Sequence, residues 1–331
     1  MNRTLRTPAE LEAAGLLPAG AAAALAPVAE RYAVAVTPAV AALIAAGHAD
    51  VAAQYLPDPA ELVTAPHERA DPTADAPFTP VKGVVHRYPD RALLKPLLAC
   101  PVYCRFCFRR EAVGPEGGLL SAAELEAALD WFARTPAVRE AILTGGDPLM
   151  LSGRRLGDIL GRLAALPHIE LLRIHSRVPV ADPDRVDAAL CAALDVGKPL
   201  YLCVHANAAA EFTEAAGRAL RALHGAGAVL LGQTVLLRGV NDSAAALEAL
   251  FRAMLRHRVK PYYLHQLDPA PGTARFHVPV AEGLRLLAAL RGRVSGLAWP
   301  TYVQEAPAGG GKFPLGMPLM REGAGLSGGL G

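Results

Sequence analysis

The sequence predicts an α/β fold: a partial (β/α)6 barrel preceded by an N-terminal helical extension. Three observations predict it. Apolar strand candidates start near Ala92, Glu140, Leu171, Leu200, Val229 and Lys260, and after the first gap they recur at roughly 30 residues, the length of one strand-plus-helix unit. Amphipathic helical stretches fill the gaps, an alternation that argues for a parallel sheet with helices outside it. Polar or special residues close the strands, which is where such barrels collect their chemistry. Six units are fewer than the eight of a closed barrel, so an open, wider barrel that admits a large cofactor is expected.

Along the chain, residues 1–80 form the helical extension, Ala-rich and broken by prolines. In TPAELEAAGL, Thr7 is placed to cap a helix with Pro8 at its first position. The stretch HERADPTADAPFTPVKG, 67–83, is polar and punctuated by proline, and reads as an ordered connection. Residues 81–300 hold the barrel. Its helices are predicted at SAAELEAALDWFAR, RRLGDILGRLAAL, DRVDAALCAAL, AGRALRALHGAG and AAALEALFRAMLRH, with GLRLLAALRGRV last. Residues 301–331 carry a short strand, TYVQE, the glycine-rich turn APAGGGKFP and a tail from Arg321 without periodicity, which is expected to be disordered.

Hydrophobic residues make up 52% of the 331 and charged residues 19%, the balance of a globular chain and not of a disordered one. A net charge of +2 argues against a nucleic-acid partner held by long-range charge. No stretch reads as a secretory signal, and Pro38 interrupts the Ala/Val-rich run at 33–47, so no membrane span is expected. Three of the five cysteines are clustered. That suits a metal site in a reducing cytoplasm better than a disulfide framework.

The cluster is ACPVYCRFCFRR, with Cys100, Cys104 and Cys107 on the loop after the first strand. Three thiolates can hold three irons of a cubane cluster and leave the fourth iron open. A structural zinc wants four ligands, and the nearest candidate is His86, ahead of the strand. Gly145-Gly146-Asp147 closes the second strand, His175-Ser176-Arg177 the third, His205 and Asn207 the fourth, and Asp268 the sixth; Gln233 lies within the fifth. Near the end, Lys312 stands in a glycine-rich loop. The P-loop template fails there, because Ala306 replaces its first glycine and Phe313 its Ser/Thr. Lys312 is then either a solvated loop lysine or one that forms an imine with an aldehyde cofactor. Arg87 and Arg91, in HRYPDR, have the forked geometry that suits a phosphate dianion, or are two surface arginines.

The cysteine triad, with Phe106 before its last member and the GGD after the second strand, resembles the radical S-adenosylmethionine (SAM) superfamily. HRYPDR, CPVYCRFCFRR, TGGDPL, IHSRVPV, LLGQTVLLRGVND, PYYLHQLD and PTYVQEAPAGGGKFP together resemble lysine 2,3-aminomutase and its relatives, in the same order, from about residue 55 to 320. The resemblance implies a [4Fe-4S] cluster on Cys100, Cys104 and Cys107, with SAM on its open iron and Gly145, Gly146 and Asp147 beside the SAM amino group. It implies that Lys312 holds pyridoxal 5′-phosphate (PLP) through an imine and that Arg87 and Arg91 hold the phosphate. Arg109 would pair with the substrate carboxylate, Asp268 and Glu305 with the ε-ammonium of lysine, and His205 and Gln233 would line the SAM and PLP region. Glu305 departs from the Asp usual in free-lysine enzymes.

The implied reaction is a 1,2 amino migration from L-lysine to β-lysine. The implied partners are the amino acid and an electron donor such as flavodoxin or ferredoxin, in the cytoplasm; a homo-oligomer is compatible with the resemblance. The compact form resembles the branch that makes (R)-β-lysine for elongation factor P. Ser243 stands where larger members can have a zinc cysteine, so no zinc is expected. The glutamate-specific relatives are a poorer match, since they should lack acids at both ammonium positions. A metal-binding regulatory protein without turnover and a radical SAM enzyme without PLP are the competing readings.

Overall fold

The computed structural model describes residues 3–114, 117–306 and 310–316. The tail from Arg321 and residues 307–309 of the glycine-rich turn lie outside the described residues.

Four short helices open the chain: α1 (Pro8–Ala13), α2 (Ala21–Arg31), α3 (Pro38–Ala45) and α4 (Ala49–Tyr55). The Thr7 hydroxyl accepts from the Glu10 N–H at 3.1 Å, with Pro8 at the first helical position. A side-chain cap satisfies one of the donors a helix start leaves open, and Pro costs nothing where no N–H is needed.

Among the described residues nine strands follow in one sheet: β1 (Val84–Tyr88), β2 (Arg91–Leu97), β3 (Glu140–Gly145), β4 (Leu171–Ser176), β5 (Leu200–His205), β6 (Val229–Val235), β7 (Lys260–His265), β8 (Thr301–Ala306) and β9 (Gly311–Pro314). Their order in the sheet is their order in the chain. Strands β2 to β8 run parallel. The six strands expected from the sequence are β2 to β7, and TYVQE is β8. Helices α5 (Ala122–Ala133), α6 (Gly153–Ala164), α7 (Val178–Ala181), α8 (Ala188–Ala192), α9 (Glu214–Gly225), α10 (Ala244–Arg256) and α11 (Val280–Ala288) fill the crossovers. Ser121 starts α5 with a reciprocal capping box to Glu124. The result is the partial (β/α)6 barrel, extended by β8.

Two strands have no counterpart in the sequence reading. β1 pairs antiparallel with β2 across a two-residue turn, Tyr88 opposite Arg91, and β9 pairs antiparallel with β8. Both are short, and pairing with a neighbour makes them strands, not local propensity. These two edges approach each other. The Lys312 N–H donates to the Tyr88 hydroxyl at 2.7 Å, and Arg87 pairs with Glu305. Side chains thus bridge the gap between the two sheet edges.

The period-2 pattern sorts the strand residues. Leu172 and Ile174 join the core under the helices with Leu143, Leu202, Leu220 and Phe251, while Arg173 and His175 alternate to the barrel interior. A second core seats the helical extension on the barrel. Leu11, Val36, Val40, Val51 and Tyr55 pack there with Val102 of the cysteine loop and with Ala181 and Ala208, which follow β4 and β5. Each such fully buried aliphatic side chain contributes roughly 1.5–3 kcal/mol, so the extension holds the mouth of the barrel as part of the fold.

Candidate functional site

A cavity of about 200 Å³ opens at the carboxyl ends of the strands. A second cavity of about 320 Å³ adjoins it on the β1 side, walled by Tyr88, Arg91, Glu140, Arg173 and Tyr262. Arg87, Leu93, His175, Gln233 and Lys312 border both. The first cavity also takes Cys104, Cys107, Arg109, His205, Asp268 and Glu305. The structure therefore gathers most of the residues singled out in the sequence around one pair of adjoining cavities.

The cysteine loop is held from below by the extension. The Arg105 N–H donates to the Gln54 carbonyl at 2.8 Å. Arg105 Nε lies 3.0 Å from both oxygens of Glu61, and Arg110 pairs with the same carboxylate. Glu61 is fully buried, so the pairing with two guanidinium groups is what makes its charge tolerable. Cys100, Cys104 and Cys107 border one small pocket together with Tyr32 and Tyr103, and Cys104 and Cys107 also face the main cavity.

Burial pushes the Cys104 thiol up to about 11 and the Cys100 thiol well above its ordinary range. Bound cationic iron reverses that preference and holds thiolates. Among the described residues no group of three His, Cys, Asp or Glu side chains converges to hold a single ion. A cubane cluster does not require it, because each thiolate binds a different iron. Three cysteines on one loop, each able to bind a different iron, fit the donor set of a cubane cluster.

The GGD turn brings β3 against the approach to Cys100. Gly145 has φ +113°, and a Cβ there would stand 2.6 Å from the Leu97 carbonyl oxygen. A Cβ on Gly146 would overlap the Ala99 carbonyl. The N–H groups of Gly146 and Asp147 donate to Leu97 and Ala99 at 2.8 and 2.9 Å. The Asp147 carboxylate accepts from the Ser176 hydroxyl and the Arg177 N–H, each at 2.7 Å. Its oxygens are thus used to tie β3 to the end of β4. Gly145, Gly146 and Asp147 stand beside the two cavities and not on their walls.

The charged groups form one network. Glu305 and Lys312 are cross-strand partners of β8 and β9, with Lys312 Nζ 3.2 Å from Glu305 Oε2. Glu305 also pairs with Arg87. The other arm of Arg87 donates to Asp75 at 2.9 Å. Asp75 further takes Arg109 Nη2 at 3.1 Å and Nε at 3.2 Å, and Lys95 at 3.4 Å. Burial alone would raise the Asp75 carboxyl, but Arg109, Lys95 and Arg87 hold it down at about 2. Arg91 is set apart from this network: it pairs with Asp90 at 2.8 Å, lies over the Tyr88 ring at 3.8 Å, and reaches the second cavity alone.

Asp268 makes no side-chain hydrogen bond among the described residues. Burial first, then the Glu305 charge, raise its carboxyl to about 7. Burial, then Arg177 and Arg109, depress the His205 imidazole to about 3.

Sequence reasoning missed Asp75, the anion that organises Arg87, Lys95 and Arg109. It lies in the proline-punctuated connection, where Asp71 accepts from the N–H groups of Asp75 and Ala76 at 2.8 and 2.9 Å. No spacing marks it; the one local signal is that this polar connection carries three separate acids, Glu68, Asp71 and Asp75. Arg177 closes its strand, and the local sequence assigns it no role. It is buried against Gln54, Tyr55 and Glu211, partners from the extension and from the segment after β5 that no local pattern connects.

A radical SAM superfamily model matches residues 94–250. The chain is 40% identical over 262 residues to an L-lysine 2,3-aminomutase of Fusobacterium nucleatum, a match that covers 79% of this chain and 62% of that protein. It is 38% identical over 257 residues to a Treponema pallidum protein provisionally named L-lysine 2,3-aminomutase, covering 78% and 72%. It is 35% identical over 266 residues to a glutamate 2,3-aminomutase of Clostridioides difficile, covering 78% and 63%. The chain thus spans less than two thirds of the Fusobacterium relative's length.

Proposed function

This chain belongs to the lysine 2,3-aminomutase family of radical SAM proteins, and from that premise we propose that it is an isomerase that converts L-lysine to β-lysine by 1,2 amino migration. The observation that carries the reading is that Lys312 borders the same cavity as Cys104 and Cys107. A carbon radical and an imine-held amine have to meet in one enclosed space, shielded from water and stray hydrogen donors.

The family's cofactors are a [4Fe-4S] cluster, SAM and PLP. When bound, they supply a carbon-centred radical and a π system through which an amino nitrogen can move. In this reading Cys100, Cys104 and Cys107 hold the cluster, and Gly145, Gly146 and Asp147, which stand behind the cavity wall, support it on the side next to SAM. Lys312 anchors PLP at the junction of the cavities. Arg87 and Arg91 take the phosphate, which puts it in the second cavity, the one both arginines reach. Arg109 receives the substrate carboxylate on the donors that Asp75 leaves free. Asp268 and Glu305 face the ε-ammonium, and His205 and Gln233 complete the wall.

Two acids in the cavity favour a cationic side chain, because burying a second carboxylate beside them would be repulsive. That supports lysine over glutamate as substrate. Among the described residues no helix is long and apolar enough to cross a membrane. The reading places the reaction in the cytoplasm with flavodoxin or ferredoxin as electron donor.

Anaerobic reconstitution with iron, sulfide, PLP, SAM and dithionite tests it, with lysine, glutamate and other amino acids offered in turn. Free β-lysine is the expected product. Inactivity with lysine and turnover of another amino acid would overturn the roles of Asp268 and Glu305. Transfer of the product to elongation factor P is the second use to be checked, on the same reconstituted protein.

A further inference from the structure

His175, His205 and His265 all line the first cavity, and the Nε2 of each is buried without a hydrogen-bond partner among the described residues. Buried polar nitrogens are nearly always paired, so three orphans on one wall mark a surface that completes itself with a ligand. The function proposed above uses only His205.

His175 differs from the other two in position. It is on β4, opposite Cys203 of β5, with Leu172 and Ile174 turned to the core on the other face. Its ring meets that of His205 edge-on at 5.5 Å. It borders both cavities, whereas His205 and His265 border the first alone. A cofactor joined to Lys312 with its anionic end beside Arg87 and Arg91 must lie across the junction of the cavities. Its aromatic ring then passes the junction residues, of which His175 and Gln233 are the uncharged polar ones.

We propose that His175 is a binding residue for the ring of the aldehyde cofactor, donating a hydrogen bond from the cavity junction to an acceptor atom on the ring edge. This rests on the functional reading above. Burial, then His205, Arg173, Lys312 and Arg109, keep the His175 imidazole well below its ordinary range. It is therefore a neutral imidazole with one donor and one acceptor nitrogen. The nucleoside of SAM is the other ligand that could meet the same nitrogen, and the test separates the two.

Wild type, His175→Phe and His175→Gln are compared with iron content and circular dichroism as checks on folding. PLP affinity is measured by titration, the absorption maximum of the Lys312-bound form by spectroscopy, and SAM affinity by equilibrium dialysis on the reconstituted protein. H175F is expected to weaken PLP about tenfold and to move the absorption maximum, with SAM affinity within about twofold of wild type. H175Q, whose amide can reach the position of Nε2, is expected to recover most of the loss. Wild-type PLP affinity and spectrum in H175F would overturn the proposal, as would a loss confined to SAM. Should H175F fail to hold iron, H175A is read against H175Q in the same way. Absence of a borohydride-trapped adduct at Lys312 in the wild type would sink the functional reading together with this inference; an adduct in the wild type with H175F unaltered sinks the inference alone.

Discussion

Lys312 and Glu305 face each other across the β8–β9 pair, Nζ to Oε2 at 3.2 Å. Register aims the lysine: a slip of one residue would put Phe313, which is exposed, in its place. The Glu305 carboxylate is shared between Lys312 and Arg87. Replacing Glu305 by Gln removes the counter-charge between two cations and one of the two acids assigned to the substrate ammonium. The expected result is a rise of about tenfold or more in KM for lysine, with E305D retaining most of the wild-type value. Steady-state kinetics on the reconstituted enzyme decide it, and an unchanged KM in E305Q would remove Glu305 from the substrate site.

Asp75 holds Arg109, Lys95 and Arg87 together, and its carboxyl is held at about 2 against an ordinary 3.8. A depressed carboxyl stabilises the folded state above its unfolded value and loses that contribution as pH falls through the folded one. The contribution is therefore complete above about pH 4 and gone near pH 2, and is worth roughly 2 kcal/mol. D75N should lower unfolding free energy by that order at pH 7, with the gap from wild type narrowing only below pH 4. Urea unfolding across this range measures it. The same variant should raise KM for the amino acid more than it lowers kcat, because Arg109 loses its anchor.

Asp268 shows the opposite shift, raised to about 7 by burial and by Glu305. The folded state keeps this proton longer than the unfolded chain. Stability from it is complete below about pH 4 and is lost as pH rises through 7, on the order of 4 kcal/mol. D268N should therefore flatten part of the decline in stability between pH 4 and 7. Lysine binding requires the ionised form opposite its ammonium, so lysine affinity should rise with pH through about 7 in wild type and not in D268N. A flat wild-type profile would count against Asp268 as the ammonium partner.

Gly146 packs where a Cβ would overlap the backbone of Ala99, next to Cys100. Backbone cannot yield there as a flexible side chain would, so Gly146→Ala should displace the start of the cysteine loop. The expected outcome is a protein that reconstitutes with far less iron than the roughly four atoms of a cubane, while circular dichroism keeps the helical signal of α5 to α11. Wild-type iron content in G146A would show that the approach of β3 to this loop is not needed for the cluster.

Much of the fold was legible in one dimension. Strands β2 to β7 carry apolar runs bounded by turn residues, the helices between them carry a 3.6-residue stripe, and Thr7 announces its helix start. The triad Cys100, Cys104, Cys107 and the lysine of GGGKFP are marked by local spacing and composition. β1 and β9 were not legible, since a four- or five-residue strand at a sheet edge is defined by its partner.

What the sequence alone determined is the set of local features: the helix and strand periods, the caps, the cysteine spacing and the chemistry each residue type can perform. What only the tertiary structure decided is the pairing of charges. Asp75 and Arg87 lie near the start of the barrel and Glu305 and Lys312 at its end, with Arg87 and Glu305 218 residues apart, yet the four form one chain of ion pairs. Charge pairing acts over a few ångströms in space and has no period along the backbone, so it becomes visible only when the barrel has brought β1, β8 and β9 together.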